Sequence, residues 1–377
     1  KRSFIETDVT TMQKIVTFLA VIMVAFTAFL MWPQKDQSEG FEDEEAPDRK
    51  ETASTDTKPD EPVEPEPFEL ALIHTNDTHT VMDNISRRAS LIEEIRGANP
   101  HHLLLSAGDV TSWEIGRKAQ DSLANAVFMN HLGYDGMVLG NHEFDLGEGV
   151  VDHGPLSTYI KHAAYPILGA NVDFSQDQFL EPYADYSYTD EPVDGRINKG
   201  YVQTVGDEQI GIFGITHYKE VVTVPGDVSF ADYTEAAKQA VAHFESIGID
   251  KIVALTHIGV GHDRTLAKEV PGIDVIIGGH SHVTTAPPNQ IGDTLVVQTG
   301  EYDTYLGELN VVFDEAGKIV NHSGKLHPTK NAQIHPHTAR VQELFDEATA
   351  LGIVNYEDFI GHIIEAGELD TYEAFIE

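Results

Sequence analysis

Tyr134-Asp-Gly-Met-Val-Leu-Gly140-Asn141-His142-Glu143-Phe144-Asp145 sets an amide, an imidazole and two carboxylates at the end of a short apolar run. Met137–Leu139 reads as a buried strand, and the polar residues begin where it stops. Loops at the ends of a rigid sheet usually carry function, and packing alone does not explain such a density of metal-ligand and acid–base side chains. Asn141 offers a neutral carbonyl oxygen to a cation, and Asp145, three residues beyond His142, can orient that imidazole. Glu143 reads as structural, bonding backbone amides around the His142 loop.

Working outward, four more apolar runs end in the same chemistry. Leu70–Thr75 leads into Asp77-Thr-His79, where a carboxylate and an imidazole two residues apart point the same way on an extended loop and can share one cation. Leu103–Ser106 ends in Gly108-Asp109, which can aim an acidic oxygen into a pocket or form an ordinary turn. Lys251–Thr256 ends in His257, and Val275–Ile277 leads to Gly278-Gly279-His280-Ser281-His282. Any one of these has a bland reading as a satisfied core histidine or a turn acid; five together do not. His217 and His262 read as loop surface near the pocket mouth, and His101, His102, His131, His153, His335 and His337 show no partner spacing.

Between these runs lie helical patterns, Ile85–Arg96, Ala119–Leu132, Leu156–Ala163, Ala231–Ile247, Arg264–Glu269 and Thr338–Ala350, with apolar residues three and four apart. Further strands are expected at Pro166–Gly169, Ile210–Ile215, Leu295–Gln298 and Leu306–Phe313. The alternation is that of an α/β domain.

Composition narrows the chemistry. The chain has 377 residues and a net charge of −38, which repels phosphate backbones and makes a nucleic-acid scaffold improbable. With Cys 0, disulfide frameworks, thiolate zinc sites and cysteine nucleophiles are excluded, so any metal must rest on His, Asp, Glu or Asn.

Ahead of the α/β texture, Ile15–Trp32 is apolar over about 18 residues, or roughly 27 Å as a helix, and suits a membrane or a translocon. Residues 1–32 are therefore expected to be a signal peptide or, by a small margin, an uncleaved membrane anchor. Lys1, Arg2 and Lys14 precede the run and acids follow it, which puts the catalytic bulk outside the cytoplasm, whether periplasmic, secreted or tethered to the outer face. Residues 33–67 read as an acidic, Pro-rich linker. A catalytic domain is expected over 68–330, and 331–377 as a helical C-terminal extension, either a terminus in itself or the start of a further domain.

The set D-x-H, G-D, G-N-H-E-F-D, a strand-final His and G-G-H-S-H, in this order, resembles the calcineurin-like metallophosphoesterases, and within them the 5′-nucleotidase/UDP-sugar hydrolase family. It covers about Phe68 to Pro328. Thr80 departs from the family's pattern, which has a smaller Gly, Ser or Ala after the ligand His. The resemblance implies a four-layer α/β/β/α sandwich of two mixed sheets with two divalent ions, Zn, Mn or similar, at the strand ends. It implies that Asp77, His79 and His282 hold one ion, that Asn141, His257 and His280 hold the other, and that Asp109 bridges them. A water between two such ions loses a proton near neutral pH and can attack phosphorus in line. His142, held by Asp145, would then stabilise phosphoryl charge or protonate the leaving oxygen. The implied substrate is a small nucleotide or another phosphate ester. Alternatives on the same site are a 2′,3′-cyclic-nucleotide phosphodiesterase, a UDP-sugar hydrolase, a thiosulfohydrolase-like relative, or a non-catalytic metal binder.

Overall fold

Short apolar runs form the strands and amphipathic segments the helices in the computed structural model, which describes residues 67–111, 118–146, 153–217 and 226–367. The expected leader, residues 1–32, and the linker up to residue 66 lie outside the described residues. Strands are β1 Phe68–Thr75, β2 His102–Ser106, β3 Gly136–Val138, β4 Ile167–Leu168, β5 Val172–Asp173, β6 Ala184–Thr189, β7 Ile197–Val205, β8 Glu208–Thr216, β9 Ser229–Phe230, β10 Ile252–His257, β11 Val275–Gly278, β12 Asn289–Ile291, β13 Thr294–Val297, β14 Tyr305–Phe313 and β15 Ile319–Pro328. Helices are α1 Ile85–Ala98, α2 Lys118–His131, α3 Gly154–His162, α4 Tyr233–Ser246, α5 Val260–Glu269, α6 Pro336–Ala350 and α7 Tyr356–Glu365. No helix of the described residues is long and apolar enough to cross a membrane.

Hydrogen bonds join thirteen strands into one mixed sheet, in the order β12-β13-β11-β10-β8-β7-β4-β3-β2-β1-β14-β15 with β6 beside β7; β5 and β9 pair separately. The two expected sheets are the halves of this sheet, continuous where β4 meets β7 through Ile167↔Ile197. Alternation along the strands explains the layers. Leu72, Leu103, Leu105, Val253, Leu255 and Ile277, drawn from both halves, pack in one buried cluster, so the inner faces of the halves meet. The intervening residues face outward. Ile73, Leu104, Met137 and Ile167 pack with α1, α2, α3, α6 and α7, while Phe213, Ile215, Ala254 and Ile276 pack with α4 and α5. The result is a helix, sheet, sheet, helix stack in which nearly every central strand is buried on both faces.

All nine expected strands and six expected helices form. The elements missed share a cause: they do not read as apolar runs. β15 is an edge strand, IVNHSGKLHP, with no buried residue, and β6 is half-exposed ADYSYT. β7 is mostly buried, but its run is broken by Lys199, Gln203 and the exposed Thr204. α7 was not missed: it lies in the expected helical C-terminal extension and buries Tyr356, Phe359, Ile360 and Ile363 against the same core as α1 and α2.

One half-buried acid away from the strand-end loops makes stability depend on pH. Asp274 accepts the Ile252 amide at 2.7 Å, and burial, only partly opposed by that bond, pushes its pKa up to about 7. The folded pKa lies above the unfolded value. The neutral acid therefore contributes stability that is fully present below about pH 4 and is lost as pH rises through the folded pKa. Asp274→Asn keeps an acceptor for the amide and removes the charge. Its unfolding free energy, from urea titrations at several pH values, should fall less steeply than wild type between pH 4 and 8, by ~1–3 kcal/mol over the range.

Candidate functional site

The loops after β1, β2, β3 and β11 and the last residue of β10 meet at one end of the stack. Backbone strain marks the place. Asp77, His79, Asp109, His280 and His282 all adopt left-handed backbone, with φ of 51°, 48°, 49°, 73° and 54°. Each such residue costs on the order of 1 kcal/mol or more, and such strain gathers where side chains must point to one spot. Thr80, at φ 54°, is held the same way although it is β-branched. Its amide donates to the Val110 carbonyl at 2.7 Å and its hydroxyl to the same oxygen at 3.2 Å. The departure at residue 80 is thus accommodated by the neighbouring loop, whose Gly108 and Asp109 carbonyls accept the Asp77 and His79 amides.

Two groups of side chains converge. Asp77, His79 and His282 present ligand atoms within 4.8 Å of one another, as do Asp109, His257 and His280. His282 Nε2 lies 3.2 Å from Asp77 Oδ1 and 3.3 Å from His79 Nε2. In the second group His257 Nε2 lies 3.0 Å from Asp109 Oδ2, and His280 Nδ1 lies 2.9 Å from Asn141 Oδ1. Asp77 Oδ1 stands 3.8 Å from His257 Nε2, so the groups adjoin. All seven expected ligands are therefore neighbours. His79, Asp109 and His142 form a third convergent group.

The donor set fits divalent cations. His257 Nε2 is fully buried and, although close to Asp109, makes no hydrogen bond of acceptable geometry. The far side of that ring is tied to the Ala107 carbonyl at 2.6 Å, and His79 Nδ1 to the Thr111 carbonyl at 3.1 Å. Backbone carbonyls thereby orient these Nε2 atoms toward the centre, as ligating imidazoles require. Facing Nε2 atoms on His79 and His282 also need a proton or a cation between them.

His142 Nδ1 lies 2.8 Å from Asp145 Oδ2, and its backbone amide donates to Asp109 Oδ1 at 2.8 Å. Glu143 is buried with 0 % exposure. Its carboxylate accepts the amides of Gly140, Asp109, Val110 and Thr111 at 2.6–3.1 Å, stitching the β2 and β3 loops together. Gly140 is required by proximity, since a Cβ there would sit 2.2 Å from Asp109 Oδ1.

Electrostatics follow from burial against charge. Burial alone would lower the His257 pKa, but Asp109 and then Asp77 outweigh it and push it up to about 10. Burial alone would raise the Asp109 carboxyl, yet His257, followed by His142 and His79, holds it well below the ordinary range. The metal-free centre thus keeps its carboxylate charged by gathering protons on imidazole, and cations can take their place. Burial lowers His79, and burial with the neighbouring His257 lowers His280 to about 4, favouring their neutral, ligating forms. For His142, burial is overcome by the hydrogen bond to Asp145 and then by the charge of Asp109, and its pKa is raised. Burial and the Asp109 charge push Glu143 up to about 7.

Residues 70–284 match the family model of calcineurin-like phosphoesterases. The chain belongs to this family. These metallophosphoesterases use divalent metals, and the convergent His/Asp groups are where this member can hold them. The Trifunctional nucleotide phosphoesterase protein YfkN of Bacillus subtilis (strain 168) is 37% identical over 283 residues, covering 70% of this chain and 19% of that protein. A snake venom 5'-nucleotidase from Gloydius brevicauda is 34% identical over 296 residues, covering 68% of this chain and 47% of the other. The crystal structure of a 5'-nucleotidase precursor from Thermus thermophilus superposes with a TM-score of 0.64 at 30% identity, covering 75% of this chain and 59% of that one. The metallophosphoesterase chain thus spans between a fifth and a half of these two curated relatives.

His217, expected on a loop surface, is buried instead, with its ring 5.1 Å from His280 and 5.7 Å from His262. His262 Nδ1 in turn meets the Tyr233 hydroxyl at 2.8 Å. The remaining histidines stand apart from the convergent groups. Two neighbours escaped sequence reading altogether. Glu301 contacts His282 Nδ1, and the Tyr302 ring lies 5.3 Å from His79. Both sit in an acidic loop without motif or periodicity.

Proposed function

We propose that this metallophosphoesterase hydrolyses nucleoside 5′-monophosphates at a two-cation centre. The observation that carries the reading is the meeting of Asp77, His79 and His282 with Asp109, His257 and His280, from separate strand ends. In this reading Asp77, His79 and His282 hold one divalent ion, Asn141, His257 and His280 the other, and Asp109 is shared. When bound, a cation pair neutralises phosphate charge and activates water for in-line displacement. The chain's own residues supply the rest. Asp145 fixes the His142 ring through Nδ1, and that hydrogen bond, with the Asp109 charge, overcomes burial and raises the ring's pKa, favouring its protonated form. Its Nε2–H, 4.0 Å from Asp109 Oδ2, can then stabilise phosphoryl charge or pass a proton to the leaving oxygen. A pure metal binder has no need of the His142–Asp145 pair.

Nucleotides are favoured over other esters because two relatives above 30% identity are named for nucleotide phosphoesterase and 5'-nucleotidase activity. The relative named as a trifunctional nucleotide phosphoesterase favours a second, broader reading in which one site takes more than one kind of nucleotide ester. Hydrolysis of AMP, a 2′,3′-cyclic nucleotide, UDP-glucose and an aryl phosphate by protein loaded with Zn²⁺ or Mn²⁺, with every product resolved by chromatography, separates them. The expected result is the highest kcat/KM on AMP, abolished by chelators and restored by divalent ions. Equal turnover of every ester, or indifference to chelators, would refute the nucleotidase reading.

A further inference from the structure

We infer that Glu301 is the positioning residue for the cation held by Asp77, His79 and His282, an inference that rests on the two-cation reading above. The imidazoles of the centre differ in what orients them. His257 and His79 are buried and tied to the carbonyls of Ala107 and Thr111. His282 is the more open, its side chain 33% exposed, and its Nδ1 meets the carboxylate of Glu301. A carboxylate there keeps the proton on Nδ1 and leaves the Nε2 lone pair facing Asp77 Oδ1 and the His79 ring. Absent that contact, this half-buried ring loses the partner that holds its Nδ1.

Glu301 is itself fixed from both sides. Before it, the Gly300 carbonyl accepts the Asn76 amide group at 2.8 Å. After it, Tyr302 donates its backbone amide to the Asp77 carbonyl at 2.8 Å. Next along, Asp303 binds the buried Arg88 of α1 at 3.1 Å. Tyr302 and Asp303 both take φ of 53°, a strained turn that these contacts hold in place. The segment thus ties α1 and the β1 loop to one imidazole. In the second group, among the described residues, His280 pairs instead with the neutral Asn141 amide and neighbours the His217 ring.

The test is Zn²⁺ titration of metal-stripped protein against a chromophoric chelator, for wild type, Glu301→Gln, Glu301→Ala, His282→Ala and the double variant His282→Ala/Glu301→Ala. Glu301→Ala should weaken one Zn²⁺ by about 10–100-fold and leave the other unchanged, the scale of losing a partner to a metal-bound imidazole. Glu301→Gln, which keeps an acceptor without the charge, should fall between. In the His282→Ala background, Glu301→Ala should add nothing, because its effect passes through that ring. Wild-type affinities in Glu301→Ala, equal loss of both ions with a lowered Tm, or a full further loss in the double variant would each overturn the inference. A wild type that binds a single Zn²⁺ would break the two-cation reading; the positioning role would then hold if Glu301→Ala weakened that ion and fail if it did not.

Discussion

His142→Ala is expected to keep both ions and lose about 10²-fold or more in kcat on AMP, the scale of removing a general acid or a charge-stabilising donor. The expectation comes from what the side chain touches. Its Nδ1 is engaged by Asp145 at 2.8 Å, whereas the hydrogen bonds that orient His257, His79 and His280 run to Ala107, Thr111 and Asn141. The rival is equally concrete, since His79, Asp109 and His142 also converge within 4.8 Å, and an ion held there would make His142 a ligand. Metal content and steady-state hydrolysis measured on the same preparations separate the two. Loss of an ion together with activity would assign His142 to the metals, and unchanged turnover would remove it from the mechanism. Asp145→Asn should repeat the effect less severely, because it disturbs only the orientation and protonation of the ring.

The parts of the fold legible in the sequence are those buried on both faces. β1, β2, β10 and β11 read as unbroken apolar runs because each packs a helical layer on one side and the opposite half-sheet on the other. β15 was illegible because its pairing with β14 is backbone hydrogen bonding at an edge, which constrains side chains little. The continuity of the sheet was equally hidden: β4 and β7 join through two residue pairs, too few to shape a pattern. At the site, residue types at strand ends were legible, since polar ligands stand out after apolar runs. Their partners were not. Glu301 is one of 62 acids, and only the strained turn around it, anchored by Arg88 from α1, brings it to His282. His217 misled in the other direction, because its Gly-Ile-Thr-His context gives no sign that the ring would be buried against His280.

Asp109→Asn should have the broadest effect of any single change, depleting both ions and lowering kcat/KM by about 10³-fold or more, beyond the loss expected from one missing donor. Asp109 belongs to two of the three convergent groups. One oxygen lies 3.0 Å from His257 Nε2 while the other accepts the His142 amide at 2.8 Å. The substitution is isosteric, so the loop that Glu143 holds by the Asp109, Val110 and Thr111 amides should survive. What goes is the charge that, in the two-cation reading, would offset the repulsion between the ions. It is also the charge that pushes the buried His257 up to about 10, so in Asp109→Asn that imidazole should become neutral near pH 7. NMR titration of metal-free protein reads that change directly, independently of activity. Gly140→Ala offers a second route to the same atom, because its Cβ would press on Asp109 Oδ1 and displace a carboxylate that is still charged. Both variants should lose metal and activity together, whereas His280→Ala should loosen chiefly the ion on its own side. If Asp109→Asn retained two ions at wild-type affinity, Asp109 would not be the bridge, and two independent sites would have to account for the chemistry.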